Sequence, residues 1–299
     1  MIKVILRGGL GNQMFQYALG TVLAEKNNTP LVIDVTLLND RLPRKEVTFR
    51  TFDLDIFGIQ PQLSFLSKLS QNIPIPGLWV VLDIISDSIL TILGVRKKIG
   101  EAKEYEYDEQ VFEPRKNIAL WGFWQSEKYF SMYREKILNI FQFKQPLEGG
   151  AKKIGEAIAA SNSVSIHVRR GDYITNKSVL STLGIVGIPY YERAVNYIAE
   201  HVKDPHFFIF SNDIDWCKEN IKFSYPTTYL GNDTAGPKAS FHLHLMSLCK
   251  NNIITNSTFS WWAAWLNRNP EKIVIAPREW RVAGSRGKDD IIPEMWVTL

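Results

Sequence analysis

Ser163-Val164-Ser165-Ile166-His167-Val168-Arg169-Arg170-Gly171-Asp172-Tyr173 is the stretch that decides how this chain is read. The run alternates, is rich in β-branched residues, and stops abruptly in one imidazole, two guanidiniums and a carboxylate. That pattern describes a buried strand carrying charge to its C-terminal end, where open α/β sheets bind their ligands. In extended backbone Arg169 and Arg170 point to opposite faces, so one can meet a ligand while the other holds the loop. A phosphate is the natural partner of such a pair. The competing reading is a structural salt-bridge cluster between Arg170 and Asp172.

Outward from this strand the pattern repeats. Phe207 to Phe210 is a continuous apolar run of the buried parallel type, ending in Ser211-Asn212-Asp213. Asn252 to Thr255 is another, ending in Asn256-Ser257-Thr258-Phe259-Ser260, and Thr227 to Leu230 and Ile273 to Ala276 supply two more. Helical patterns over 190–203, 216–221, 240–249 and 261–266 separate them. Strands alternating with helices imply a parallel, doubly wound sheet, so the polar strand ends gather on one edge. Asn256 to Ser260 then stands at a helix N-terminus, a ready anion site; ordinary N-capping by Ser257, Thr258 or Ser260 explains the same residues. Asp213-Ile214-Asp215 has the spacing of a metal-binding carboxylate pair, but the neighbouring arginines would supply the positive charge that a metal supplies elsewhere. His242 and His244 are two apart, which on a helix turns them away from each other. Trp261, Trp262 and Trp265 form a stripe expected to pack in the core.

The N-terminal half opens as strand (Lys3 to Leu6), glycine loop, helix and strand (Leu31 to Asp34), the start of a Rossmann-like unit. Its loop is a defective dinucleotide fingerprint, with Met14 where the third glycine belongs, which counts against a nicotinamide-dependent oxidoreductase. Gly9 and Gly11 still allow close backbone approach, and a tight turn without ligand is the alternative. In Leu78 to Leu93 the apolar positions 78, 81, 82, 85, 89, 92 and 93 form a helical stripe. Asp83 and Asp87 lie on the opposite, polar side and argue against a spanning helix. A core or interface helix is expected, the alternative being a helix lying on a membrane near a lipid-linked acceptor. A helical segment is expected over 128–141. Gln142 to Gly150 carries the strongest linker signal, which divides the chain into 1–148 and 149–299.

The 299 residues suffice for two domains, and a net charge of +4 is too small for a nucleic-acid binder. It suits an anionic small ligand, or weak attraction to an anionic membrane surface. Cys217 and Cys249 sit in no metal or redox spacing and are expected to be reduced and buried. Met1 to Arg7 lacks the long apolar region of a signal peptide, so a cytoplasmic location is expected.

Three stretches taken together resemble one family: Gly8-Gly9-Leu10-Gly11-Asn12-Gln13-Met14-Phe15-Gln16-Tyr17, His167-Val168-Arg169-Arg170-Gly171-Asp172-Tyr173, and Leu245-Met246-Ser247-Leu248-Cys249-Lys250 through Asn256-Ser257-Thr258-Phe259-Ser260-Trp261-Trp262. They resemble the bacterial α-1,2-fucosyltransferases of glycosyltransferase family 11, in the family's order. The resemblance is thin from about Asn39 to Tyr107, where acceptor choice is expected to lie. It departs at Ala239 to His244, where an acidic residue usually precedes the Leu-Met-Ser run. It implies an α/β, GT-B-type fold of two Rossmann-like domains with parallel sheets facing a cleft, acceptor domain first and GDP-L-fucose domain second. It implies fucose transfer to the 2-hydroxyl of a terminal β-galactoside, without metal or other cofactor and without a nucleic-acid partner, in the cytoplasm or on the inner membrane face. By similarity Arg169 holds the β-phosphate of the leaving GDP and His167 contacts the diphosphate or the guanine. Asp213 reads the guanine edge, and Asn256, Ser257, Thr258 and Ser260 line the phosphate site; Arg170 belongs to the donor-binding set, where the alternation along the strand makes it the lock on the loop. Gly9, Gly11, Asn12 and Gln13 then lie near acceptor and fucose, with Asp172 as the candidate general base. Another nucleotide-sugar glycosyltransferase and a non-catalytic glycan-binding module with sugar-stacking tryptophans are the alternatives.

Overall fold

The computed structural model describes residues 1–43, 49–171, 177–282 and 290–299. The chain forms two units, one of Met1–Lys144 with Gly287–Pro293, the other of Gln145–Arg286 with Glu294–Leu299. The division falls within the predicted linker 142–150, four residues before 148/149, and Gly149 and Gly150 open a helix, α6 (Gly149–Ala159). Nor is the second unit one unbroken run. Asp290 binds back to the N-terminal unit: its N–H donates to the Tyr105 carbonyl at 2.7 Å, and its carboxylate takes the Tyr107 N–H at 2.9 Å and Lys128 Nζ at 2.5 Å.

The N-terminal unit is built on a four-stranded, wholly parallel sheet in the order β2-β1-β4-β3, with β1 Ile2–Ile5, β2 Leu31–Asp34, β3 Lys97–Gly100 and β4 Ile118–Trp121. Helix α1 (Leu10–Lys26) lies on the Val4 face. Gly20 makes that approach possible, since a Cβ there would come within 2.5 Å of the Val4 side chain. The short helix α2 (Thr36–Asn39) follows β2, and α3 (Phe65–Asn72) packs against α4 (Leu78–Ile92). The helix expected over 128–141 is shorter, α5 (Arg134–Ile140). Before it, Phe130 at φ −143° and ψ 4° leaves helical geometry.

Helix α4 is not the core helix expected as one reading of its stripe; its apolar face is exposed. Asp83 and Asp87 are 7% and 2% exposed, whereas Val81, Ile85 and Ile89 are 52%, 48% and 51% exposed. The cause is Lys3, on the central strand and 3% exposed, whose Nζ meets Asp83 at 2.6 Å, Asp87 at 3.0 Å and Asp34 at 3.3 Å. Arg96 also pairs with Asp87. A buried cation must be matched by anions, so the acidic face of α4 turns to the sheet and the apolar face turns outward. Three carboxylates against two cations leave an excess negative charge. Burial and that excess push Asp83 up to about 7 even though Lys3 pulls the other way. Asp34 is lowered, because beside Lys3 it also accepts from Thr36 and Ser64.

The C-terminal unit carries six parallel strands in the order β10-β9-β8-β5-β6-β7. They are β5 Asn162–Val168, β6 Pro205–Ser211, β7 Thr227–Leu230, β8 Asn251–Ile253, β9 Val274–Ala276 and β10 Val297–Thr298. Between them run α7 (Lys177–Leu183), α8 (Ile188–His201), α9 (Ile214–Asn220), α10 (Ser240–Leu248) and α11 (Thr258–Leu266). Val164 and Ile166 of β5, Phe207 and Ile209 of β6 and Ile253 of β8 share one core with Tyr191 and Ile198 of α8. Each unit is thus an α/β body on a parallel sheet, the fold class that the alternation of strands and helices implies.

Candidate functional site

In the C-terminal unit β5 lies between β6 and β8, in register Val168↔Ser211 and Ile166↔Ile253. The strand ends carrying Arg169 and Arg170, Ser211 to Asp213, and Asn256 to Thr258 therefore stand side by side. Parallel pairing aligns C-terminal ends, which is why three stretches 40 or more residues apart meet on one edge.

Arg170 is the lock. Its N–H donates to Asn212 Oδ1 and its Nε to Asp213 Oδ2, both at 3.2 Å, while its guanidinium lies 3.5 Å from the Trp216 ring centre. Gly171 follows because a Cβ there would sit 2.0 Å from Asn212 Nδ2. Arg169 is half-buried, and its charge acts on His167. His167 is 5% exposed, its Nδ1 has no hydrogen-bond partner among the described residues, and burial, then Arg169 and His242, push it down to about 3. The imidazole is neutral at any ordinary pH, fitted to hydrogen bonding and unfitted to taking a proton.

Asp213 is partly engaged by Arg170, and Asp215 pairs on the surface of α9 with Lys218 at 3.2 Å, so each carboxylate of that pair already faces a cation. Asn256 is a strut. It is 2% exposed, donates from Nδ2 to the Leu183 carbonyl at 2.6 Å and the Trp280 carbonyl at 3.3 Å, and accepts from Thr255 Oγ1 at 3.1 Å. Ser257 is the residue before α11, and its side chain makes no cap bond; Thr258 is the half-buried first helical residue. Ser260 is buried and donates back to the Ser257 carbonyl at 3.2 Å, so its hydroxyl serves the helix. His242 is held by Thr234 Oγ1 at 2.9 Å, and no metal-holding cluster occurs among the described residues. Asp172 lies outside the described residues.

A cavity of about 650 Å³ opens beside Asn256, beyond the ends of β8 and β9, and Tyr190, Arg193, Arg278, Glu279 and Arg281 line it. It does not extend to His167 or Asp213, although the strands that carry them adjoin. Tyr190 fixes its floor, donating to the Ile254 carbonyl at 2.6 Å and the Ile275 carbonyl at 3.1 Å. The sequence reading missed these three arginines. For two of them the signal was present: Pro277-Arg278-Glu279-Trp280-Arg281 follows β9 and is a fourth strand end on the same edge, whereas Arg193 lies on α8.

In the N-terminal unit the loop from Gly8 to Gln13 is stitched into the fold. A Cβ on Gly8, at φ +78°, would lie 2.4 Å from Asn12 Nδ2. Gln13 is fully buried, donates to the Gly8 and Thr51 carbonyls at 3.0 and 2.7 Å and accepts the Asp53 N–H at 3.0 Å. Asn12 Oδ1 accepts from Gln125 at 2.7 Å. Gly9 is half-buried before α1 and Gly11 is buried within its first turn. Arg7 stands 4.0 Å from the Phe123 ring centre, and burial lowers its pKa. Of the tryptophans the glycan-binding alternative would use, Trp124, Trp261, Trp262 and Trp265 are buried to 1% or less and cannot stack on a sugar, while Trp121 is half-buried with Arg7 and Lys98 over its ring. Cys217 and Cys249 are free and buried, as expected.

The sequence profile of glycosyl transferase family 11 matches residues 1–299. Among curated proteins the chain is 33% identical to the O-antigen biosynthesis glycosyltransferase WbnK of Escherichia coli, over 98% of this chain and 99% of that one. It is 32% identical to an alpha-1,2-colitosyltransferase of the same organism, over 98% and 97%. Galactoside alpha-(1,2)-fucosyltransferase 1 of Mus musculus is 29% identical over 87% of this chain and 61% of its own length.

Proposed function

Because the chain belongs to glycosyl transferase family 11, we propose that it transfers L-fucose from GDP-β-L-fucose to the 2-hydroxyl of a terminal β-galactoside. The product is an α-1,2 linkage in glycan or O-antigen biosynthesis. The relatives named for O-antigen synthesis and galactoside fucosylation support this reading. The observation that carries it is the row of strand ends in the C-terminal unit, where Arg169, the N-terminus of α11 and the arginine-lined cavity offer fixed positive charge to a nucleoside diphosphate.

In the reaction the acceptor oxygen attacks the anomeric carbon as the bond to the β-phosphate breaks, with inversion, through an oxocarbenium-like transition state. Negative charge accumulates on the departing GDP. Arg169 and the N-terminal end of α11 hold that charge, being already in place when it develops. His167, kept neutral, donates or accepts a hydrogen bond at the nucleotide without changing charge. Arg170, Asn212 and Asp213 hold the loop. The proton of the attacking hydroxyl goes to a general base, the role assigned from the sequence to Asp172. With arginines supplying the charge, no metal is required. Arg193, Arg278 and Arg281 extend the donor site beyond the motif residues. The protein works in the cytoplasm, peripheral to the inner membrane face.

The test is transfer from GDP-fucose to lactose or N-acetyllactosamine, with and without EDTA. Transfer in EDTA is expected; transfer only from a different class of nucleotide sugar overturns the donor assignment. The colitosyltransferase relative makes the 3-deoxy analogue of GDP-fucose a second donor for the same assay.

A further inference from the structure

Among the described residues the outward face of α4 is left exposed. Val81, Ile84, Ile85, Ile89 and Ile92 stand 48–84% exposed along it, and Phe65 of α3, which packs beside it, is 74% exposed. An apolar surface this continuous marks an interaction site. Its charge is lopsided. The only acids between Phe65 and Gly100 are Asp83 and Asp87, and both are buried on Lys3. The exposed charges of that stretch, Lys68, Lys97 and Lys98, are all positive. Trp79, half-buried at the start of α4, donates to the Ile73 carbonyl at 2.5 Å, an amphipathic ring of the kind favoured at membrane interfaces.

We infer that this face of α4, in a stretch whose exposed charges on the same side of the sheet include Lys98 and no acid, docks the protein on an anionic lipid surface. The geometry is that of a helix lying in the interface. At 15 residues α4 is shorter than the roughly 20 that a span requires, and no helix among the described residues is long and apolar enough to cross a membrane. Apolar side chains enter the acyl boundary while lysines meet the headgroups. A second copy of this chain would instead bring its own lysines of this stretch, with no exposed acid there to pair them. The inference deepens the peripheral location proposed above, but it stands on this surface alone and needs no fucosyl transfer.

The test is co-sedimentation of the purified chain with phosphatidylcholine vesicles, with or without roughly a quarter phosphatidylglycerol. Binding is expected to the anionic vesicles only, weakening in high salt. An Ile85→Gln, Ile89→Gln variant and a Lys68→Glu, Lys98→Glu variant should each bind roughly tenfold more weakly, with unchanged circular dichroism and unchanged transfer to a soluble acceptor. Absence of binding to anionic vesicles overturns the inference. So does binding that both variants retain. A wild-type dimer that the Ile85, Ile89 variant converts to monomer, without vesicle binding, assigns the face to a second copy instead.

Discussion

Lys3→Met tests whether charge holds α4 to the sheet. The substitution keeps the length and apolar stem of Lys3 and removes the ammonium that meets Asp83 at 2.6 Å, Asp87 at 3.0 Å and Asp34 at 3.3 Å. Asp34 retains hydrogen bonds from Thr36 and Ser64, and Asp87 retains Arg96, so the stranded group is Asp83, 7% exposed. Removing one member of a buried pair costs about 3–5 kcal/mol. At about 2–4 °C per kcal/mol for a body of this size, the unfolding midpoint of the N-terminal unit falls by about 6–20 °C. The deficit is largest above pH 8 and shrinks toward pH 5, where the stranded carboxylates take up protons. Adding Asp83→Leu should return most of the loss, because an apolar pair can replace a buried ion pair at little cost. Calorimetry and urea unfolding followed by circular dichroism measure both. A midpoint within about 2 °C of wild type at pH 8 refutes the electrostatic seam, as that is less than one kcal/mol.

Three further outcomes are expected. Asp83 is raised from 3.8 to about 7 in the folded state, so its contribution to stability is present in acid and lost as pH rises through 7; Asp83→Asn should flatten that fall, and a variant with the wild-type slope between pH 5 and 8 counts against the assignment. Gly171→Ala places a Cβ against Asn212 and should cost about 1–3 kcal/mol through the displaced loop, seen as a raised KM for GDP-fucose. Arg169→Ala should lower kcat by about 10²–10³; a variant within threefold of wild type would remove Arg169 from the reaction.

The sequence by itself determined the alternation of apolar strands and helices in 160–276, the strand-end positions of His167, Arg169, Asp213 and Ser257, and the membership of one family. These are local properties. A strand buried on both faces must be apolar throughout, and its polar groups can collect only where it ends. It also separated Arg170 from Arg169, since adjacent residues of an extended chain face opposite ways. Tertiary structure alone decided three matters. Gln13 looked available near a ligand, but Thr51 and Asp53, some forty residues away, occupy its amide. Arg193 on a helix and Arg278 and Arg281 after a strand became neighbours only when α8 packed over β8 and β9, which Tyr190 records. Most of all, periodicity located the two faces of α4 and could not say which one is buried. That choice rests on Lys3, 80 residues from Asp83: a cation already enclosed by the sheet draws carboxylates inward more strongly than the apolar stripe resists exposure.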